Sequence, residues 1–198
     1  MTHNTPRLTA LLCSLLGGIC IIVGGILFIG DNVTAQSTAP DNYIGVGDCN
    51  DCHRDQWRGF SETPHYLTFV EVDGETDSIL ADFSVGEDLR LFQFTDDSSP
   101  RPFAAEDIAY VVGTGRIAQR YLFNNGDDTY RVLPAQWNTT NQAWETFPLP
   151  NGDDWGENCA TCHTTGYNPS SHEWIDDGIT CESCHGAGLD HVEAADDA

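Results

Sequence analysis

The chain has 198 residues and carries 31 acidic side chains against eight basic ones, which gives a formal net charge of −23 at pH 7. All eight basic residues are arginines, because the sequence contains no lysine. Such a surface repels nucleic acid and anionic lipid headgroups, and it therefore excludes nucleic-acid binding. It favours basic protein partners, whose binding weakens as salt screens the charges. The same acidity suits an exported protein kept soluble by its charge, or one that works in a salty medium.

The N-terminus has the pattern of an export segment. Residues 1–7 carry one arginine and no acid, and residues 8–30 are almost wholly apolar. A charged start followed by an apolar stretch is typical of a signal peptide, and this stretch is also long enough to span a bilayer. Residues 33–35 resemble a small-residue cleavage site. Residues 1–35 are therefore predicted to be a cleaved signal peptide or a retained membrane anchor. Both place the remainder in the periplasm, on the cell surface or outside the cell.

A polar linker over residues 36–46, rich in Ser, Thr, Pro and Asp, leads to one predicted domain over residues 47–191. An acidic tail over 192–198 is expected to be disordered. The domain opens on Cys49-Asn50-Asp51-Cys52-His53. Cys-x-x-Cys-His is the attachment motif of c-type haem. Both thiols bond covalently to the porphyrin, and the adjacent imidazole becomes an axial ligand of the iron.

The stretch between the first and second motifs shows little regular periodicity. Leu89 to Phe94 is strand-like, Ala104 to Val112 has helical character, and Gly113-Thr114-Gly115 is typical of a turn. Ile117 to Phe123 and Thr129 to Leu133 flank an Asn-Gly step, which predicts a β-hairpin. Because regular structure is sparse, porphyrins are expected to supply much of the core, and the chain without haem should not fold stably.

Two further copies of the motif follow, and the three copies together use every cysteine after residue 35. Paired Cys-x-x-Cys knuckles also bind zinc, and an exported protein can form disulfides. Neither needs a histidine after each pair, so three covalent haem c groups are the favoured interpretation. The predicted attachment residues are Cys49, Cys52, Cys159, Cys162, Cys181 and Cys184, and the predicted proximal iron ligands are His53, His163 and His185.

The number of remaining histidines matches the number of haems. His65, His172 and His191 lie outside the motifs, and the only methionine is Met1. Since the second axial ligand is usually His or Met, we predict bis-histidine ligation of all three irons. Such an iron has no open position, so it passes electrons without binding a substrate. Any one of these histidines taken alone would more often be an ordinary surface or core residue.

Several longer strings resemble the cytochrome c554 family of multihaem c-type cytochromes. The resemblance covers nearly all of residues 47–191. It rests on the first motif with Trp57 and His65 downstream, and on the third motif with His191 downstream. The other matching strings are Tyr110-Val111-Val112-Gly113, Gln119-Arg120-Tyr121-Leu122, Val132-Leu133-Pro134-Ala135-Gln136-Trp137, Cys159-Ala160-Thr161-Cys162-His163-Thr164-Thr165-Gly166-Tyr167 and Gly178-Ile179-Thr180-Cys181-Glu182-Ser183-Cys184-His185-Gly186.

The resemblance implies a mainly α and irregular multihaem cytochrome c fold with a small β-hairpin, built around stacked haems. It also implies how distal and proximal ligands pair. The implied pairs are His65 with His163, His172 with His185 and, within the chain or across a subunit boundary, His191 with His53. The family's founding members carry four haems, whereas this chain has three motifs and lacks one between residues 66 and 158.

Three functions fit these features. An extracytoplasmic electron carrier is favoured over an enzyme, because every iron can be saturated. A subunit of an extracellular filament, with haems stacked between subunits, is the second. An oxidoreductase acting on a small nitrogen species at a five-coordinate haem is the third, and it requires that His191 or His65 does not bind iron. The partners would be redox proteins, basic ones included, or further copies of the chain.

Overall fold

The computed structural model describes residues 42–74, 77–127 and 129–196. The predicted signal peptide or anchor over residues 1–35, and most of the linker, lie outside these ranges. Within the described ranges, the helices are all too short or too polar to cross a membrane.

Five short α-helices are described, and the haem motifs lie on or beside three of them. They are α1 Val46–Cys52, α2 Arg54–Phe60, α3 Thr161–His163, α4 Cys181–His185 and α5 Leu189–Asp196. A π-helical turn over Gly156–Ala160 leads into α3. The segment 192–196, which we expected to be disordered, is helical instead and continues α5. The amide of Leu189, the first residue of this helix, donates to the carbonyl of Asn42.

Within the described ranges, ten β-strands make up most of the regular structure between the first and third motifs. They are β1 Phe69–Glu71, β2 Leu91–Phe92, β3 Arg101–Pro102, β4 Tyr110–Val112, β5 Ala118–Asn124, β6 Tyr130–Val132, β7 Ala135–Asn138, β8 Ala143–Thr146, β9 Thr164–Thr165 and β10 Asp176–Asp177. Six of them form an antiparallel sheet in the order β1-β4-β5-β7-β8, with β6 paired to β5. The pairs β2–β3 and β9–β10 form two smaller antiparallel ribbons.

The expectation of a mainly α and irregular fold with one small hairpin is therefore wrong. The six-stranded sheet is built from the segment whose turns and acids suggested little regular structure. The predicted helix over Ala104 to Val112 is a 3-10 turn over Ala105–Asp107 followed by strand β4. All three residues of β4 are buried, and an aromatic and β-branched run that is covered on both faces favours a strand over a helix.

Other local predictions in this segment are confirmed. Strands β5 and β6 form the expected hairpin, with Leu122 opposite Val132 and Asn124 opposite Tyr130. The predicted turn over residues 113–115 lies in the connection from β4 to β5, and the strand-like run from Leu89 contains β2. These features depend on a few adjacent residues, which is why local patterns predict them.

The sheet carries two clusters of buried protein side chains. One contains the fully buried Trp137, Tyr121, Phe103 and Leu133. The second cluster comprises Phe69, Tyr110, Val112, Leu122, Val132, Trp155 and Ala160, with Phe147 and Cys159 packed against it. Cys159, the first cysteine of the second haem motif, therefore packs against the core of the sheet. In contrast, α1 and α2, which carry and follow the first motif, bury none of their residues.

Candidate haem-binding sites

The first and third motifs lie on two sides of one cavity. Its volume is about 420 Å³. Its lining consists of both motifs together with the aromatic face of α2: Cys49, Asn50, His53, Gln56, Trp57, Phe60, Thr180, Cys181, Cys184 and His185. Thiols for covalent attachment, imidazoles for iron and aromatic rings for the porphyrin face are the groups that a c-type haem requires. The residues present at this cavity therefore fit the cofactor that the motifs predict.

The first cysteines of these two motifs are neighbours. Burial, followed by the proximity of Cys181 and Glu182, raises the pKa of the Cys49 thiol to about 11. In the chain before haem attachment this thiol is therefore protonated at neutral pH. The same contact shows that α1 and α4, which are far apart in sequence, present their attachment sites side by side.

Two carboxylates hold α1 against the segment that carries the third motif. The side chain of Glu182, which is 3% exposed, accepts hydrogen bonds from the amides of Gly45 at 2.8 Å and Gly188 at 2.7 Å, and a longer one from Ile44. Asp176 accepts from the amide of Val46 at 3.0 Å and from the hydroxyl of Thr180 at 2.7 Å. Hydrogen bonds to an ionised acceptor are about twice as strong as neutral ones. These contacts therefore fix the first motif relative to the third.

His53 and His191 face each other in the same chain. Their ring centroids are 6.2 Å apart, and the ring planes differ by 23°. His53 follows α1, and His191 lies in the first turn of α5. A metal–imidazole bond is about 2 Å long and the ring centre lies roughly 1 Å farther out, so two imidazoles on opposite sides of one metal ion have centroids about 6 Å apart. The two rings have the spacing that a single iron between them requires.

The second motif lies at the edge of the sheet. His163 is half-buried, and its ring lies 5.6 Å from that of the buried Trp155. Burial, together with the positive charge of Arg120, lowers the pKa of His163. A lowered pKa keeps the imidazole neutral, which is the form that binds a metal ion. The motif is joined to the third one through the buried Thr165, whose hydroxyl accepts from the amide of Thr180 at 2.9 Å.

The other two predicted distal ligands lie in different surroundings. The ring Nδ1 of His172 is 3.2 Å from the hydroxyl of Tyr167, which leaves its Nε2 for another partner. It borders a small pocket beside Trp155 and Gly156, at the start of the second motif. His65 is exposed, and its carbonyl accepts from the amide of Ile179, just ahead of the third motif. The pairing of these two histidines with His185 and His163 stays a prediction.

Sequence reasoning quoted Glu182 and Arg120 within longer strings but assigned them no role. Glu182 is the second residue of the third motif, where the sequence alone allows any residue. Its burial depends on backbone amides of residues 44 and 45, far away in sequence. No local sequence pattern predicts such a contact, so the roles of Glu182 and Arg120 become visible only in the fold.

The three motifs, the cavity and the facing histidines are features that a multihaem c-type cytochrome requires. Residues 134–186 match the model of the family described as cytochrome c554 and c-prime. The resemblance to this family is thereby confirmed over these residues, and membership of this family implies covalently bound haem c.

Two solved structures are similar to this chain. The outer cell wall cytochrome OcwA is 27% identical with a TM-score of 0.63, and the match covers 79% of this chain and 34% of that one. The undecahaem cytochrome from the S-layer of Carboxydothermus ferrireducens is 24% identical with a TM-score of 0.51, covering 77% of this chain and 22% of that one. This chain thus spans about a third or less of the cytochromes it resembles. No curated protein matches it significantly.

Proposed function

We propose that this protein is an extracytoplasmic electron carrier with three covalently attached haems, each ligated by two histidines. Haem c supplies one-electron oxidation and reduction at its iron. The chain supplies the attachment thiols, the imidazoles and the scaffold that holds the three motifs together. The observation that carries the proposal is the 6.2 Å spacing of the His53 and His191 rings.

This spacing favours a carrier over an enzyme. If His53 and His191 held one iron between them, the protein would supply both of its axial ligands and leave no position for a substrate. A reductase of a small nitrogen species needs an open iron, and the contact between these two rings argues against one at the first motif. Because both histidines belong to one chain, this haem also does not need a ligand from a second subunit, as a ligand-sharing filament would.

The proposed setting follows from the similar structure and the charge. OcwA is described as an outer cell wall cytochrome, and at 27% identity this supports a location outside the cytoplasm for the present chain. We propose that residues 1–35 act as its signal peptide or membrane anchor, residues 36–46 as a linker and residues 47–191 as the trihaem domain. With a net charge of −23, its surface suits a basic redox partner. Electron exchange with such a partner should slow as ionic strength rises.

The first prediction is a haem count. A pyridine haemochrome titration should give three haems per chain, and replacing both cysteines of any one motif with serine should lower the count by one. The native spectrum should be entirely low-spin and should not change when carbon monoxide is added to the reduced protein.

Different results would favour the other functions. Carbon monoxide binding with a high-spin ferric signal in the native protein would support the reductase. Long particles in electron micrographs of the purified protein would support the filament. Fewer than three haems in the native protein would overturn the trihaem proposal.

A further inference from the structure

Arg120 lies at the edge of the second haem motif. It is on β5 opposite Val112, and its side chain is half-buried. The guanidinium carbon lies 4.2 Å from the centre of the Phe147 ring. Phe147 packs on the same side-chain cluster as Cys159, the first attachment cysteine of this motif. The positive charge is therefore held against the aromatic wall beside the predicted haem.

Arg120 is half-buried, yet it forms no ion pair with the described residues. Arg58, Arg101 and Arg131 each form an ion pair with an aspartate, and Arg90 donates to backbone carbonyls. The Nε of Arg120 is buried without a hydrogen-bond partner. Among residues 42–74, 77–127 and 129–196, no carboxylate forms an ion pair with it.

An unpartnered guanidinium at this depth is costly, because a charge loses hydration on burial and a guanidinium stays protonated in proteins. Burial also lowers the pKa of Arg120. Burial raises the pKa of the Cys159 thiol, and the positive charge of Arg120 opposes this rise. Burial lowers the pKa of the His163 imidazole, and the same charge adds to that effect. An anion from outside the polypeptide would satisfy the guanidinium.

We infer that Arg120 binds a propionate carboxylate of a bound haem and raises the reduction potential of the haem attached at the second motif. This inference rests on the proposed function. Each haem brings two propionates, and the planar fork of a guanidinium matches a carboxylate bidentately. A ferric haem carries one more positive charge than a ferrous one. A nearby cation therefore disfavours the oxidised form. Solvent screens the charge of a half-buried cation less than that of an exposed one.

The experiment compares three variants of the full haem-loaded protein by potentiometric titration followed by electron paramagnetic resonance. Arg120→Gln removes the charge. It should lower the potential of one haem by the equivalent of a ten-fold change in its reduction equilibrium, which is about 59 mV for one electron. Arg120→Lys keeps the charge and should restore most of the shift. Arg116→Gln removes the same charge from an exposed position four residues away and should leave all three potentials unchanged.

A second measurement tests the carboxylate itself. The propionate bending band in resonance Raman spectra should change in Arg120→Gln and be insensitive to added phosphate in the native protein. Unchanged potentials, or equal shifts in Arg120→Gln and Arg116→Gln, would overturn the tuning role. An unchanged propionate band, or a potential that follows added phosphate, would assign the anion to solvent and overturn the propionate. A haem count of three in each variant keeps these results separate from the test of the proposed function.

Discussion

The His191→Ala variant is expected to bind one equivalent of carbon monoxide per chain when reduced, whereas the native protein binds none. In the native protein the ring of His191 lies opposite that of His53, at the spacing expected of two axial ligands. Removing it should leave His53 as the only protein ligand of that iron, which then becomes high-spin. The change can be measured as a high-spin ferric signal in electron paramagnetic resonance and by titration with carbon monoxide.

The matched control is Asp190→Asn, which alters the preceding exposed residue on the same helix. It should leave the native low-spin spectrum unchanged, because a carboxamide there removes no ligand. If His191→Ala stays low-spin, His191 does not bind iron and the bis-histidine proposal fails at its best-supported haem. If instead the native protein already binds carbon monoxide, another iron is open and the reductase gains support.

The haem motifs were predictable from sequence because covalent chemistry demands their spacing. Two thiols and an imidazole must reach one porphyrin, and only a fixed local order allows this. The structure adds that Cys49 and Cys181 are neighbours, a contact between residues that are far apart in the chain. No local pattern encodes it. The pairing of His191 with His53 was implied by the resemblance and stays a prediction, with which the 6.2 Å spacing of the two rings agrees.

The six-stranded sheet was not predicted from the sequence, for a different physical reason. Its strands are mostly three or four residues long, as in β1, β4 and β8, and so short a strand shows too few alternations to reveal a period of two. Strand β4 follows Ala105-Glu106-Asp107, whose residues suit a helix start, and this local signal was misleading. Its burial on both faces decided the outcome. The β5–β6 hairpin was found because its turn contains Asn-Gly.

Replacing Glu182 with glutamine should destabilise the protein by about 2–4 kcal/mol, since a hydrogen bond to a charged group contributes roughly 1.5–3 kcal/mol and a buried amide left unpaired costs about as much. Its carboxylate is buried and accepts from the amides of Ile44, Gly45 and Gly188. A carboxamide has one acceptor oxygen, and its NH₂ group would face amide donors. At least one of those amides then loses its partner. The loss is measured as a lower midpoint of thermal unfolding of the haem-loaded protein.

Glu145→Gln is the matched control for Glu182→Gln. Glu145 also accepts hydrogen bonds from several side chains, those of Gln136, Asn138 and Asn141, but it does so at the protein surface, where water can replace the lost contacts. The thermal unfolding midpoint of Glu145→Gln should remain close to that of the native protein.

Because Glu182 joins the first and third motifs, Glu182→Gln should also weaken the circular-dichroism couplet that closely spaced haems give in the Soret region. A lower midpoint with an unchanged couplet would limit Glu182 to stability. A lower midpoint together with a weaker couplet in Glu182→Gln, with neither changed in Glu145→Gln, would mean that the buried carboxylate of Glu182 fixes the geometry between two haem sites.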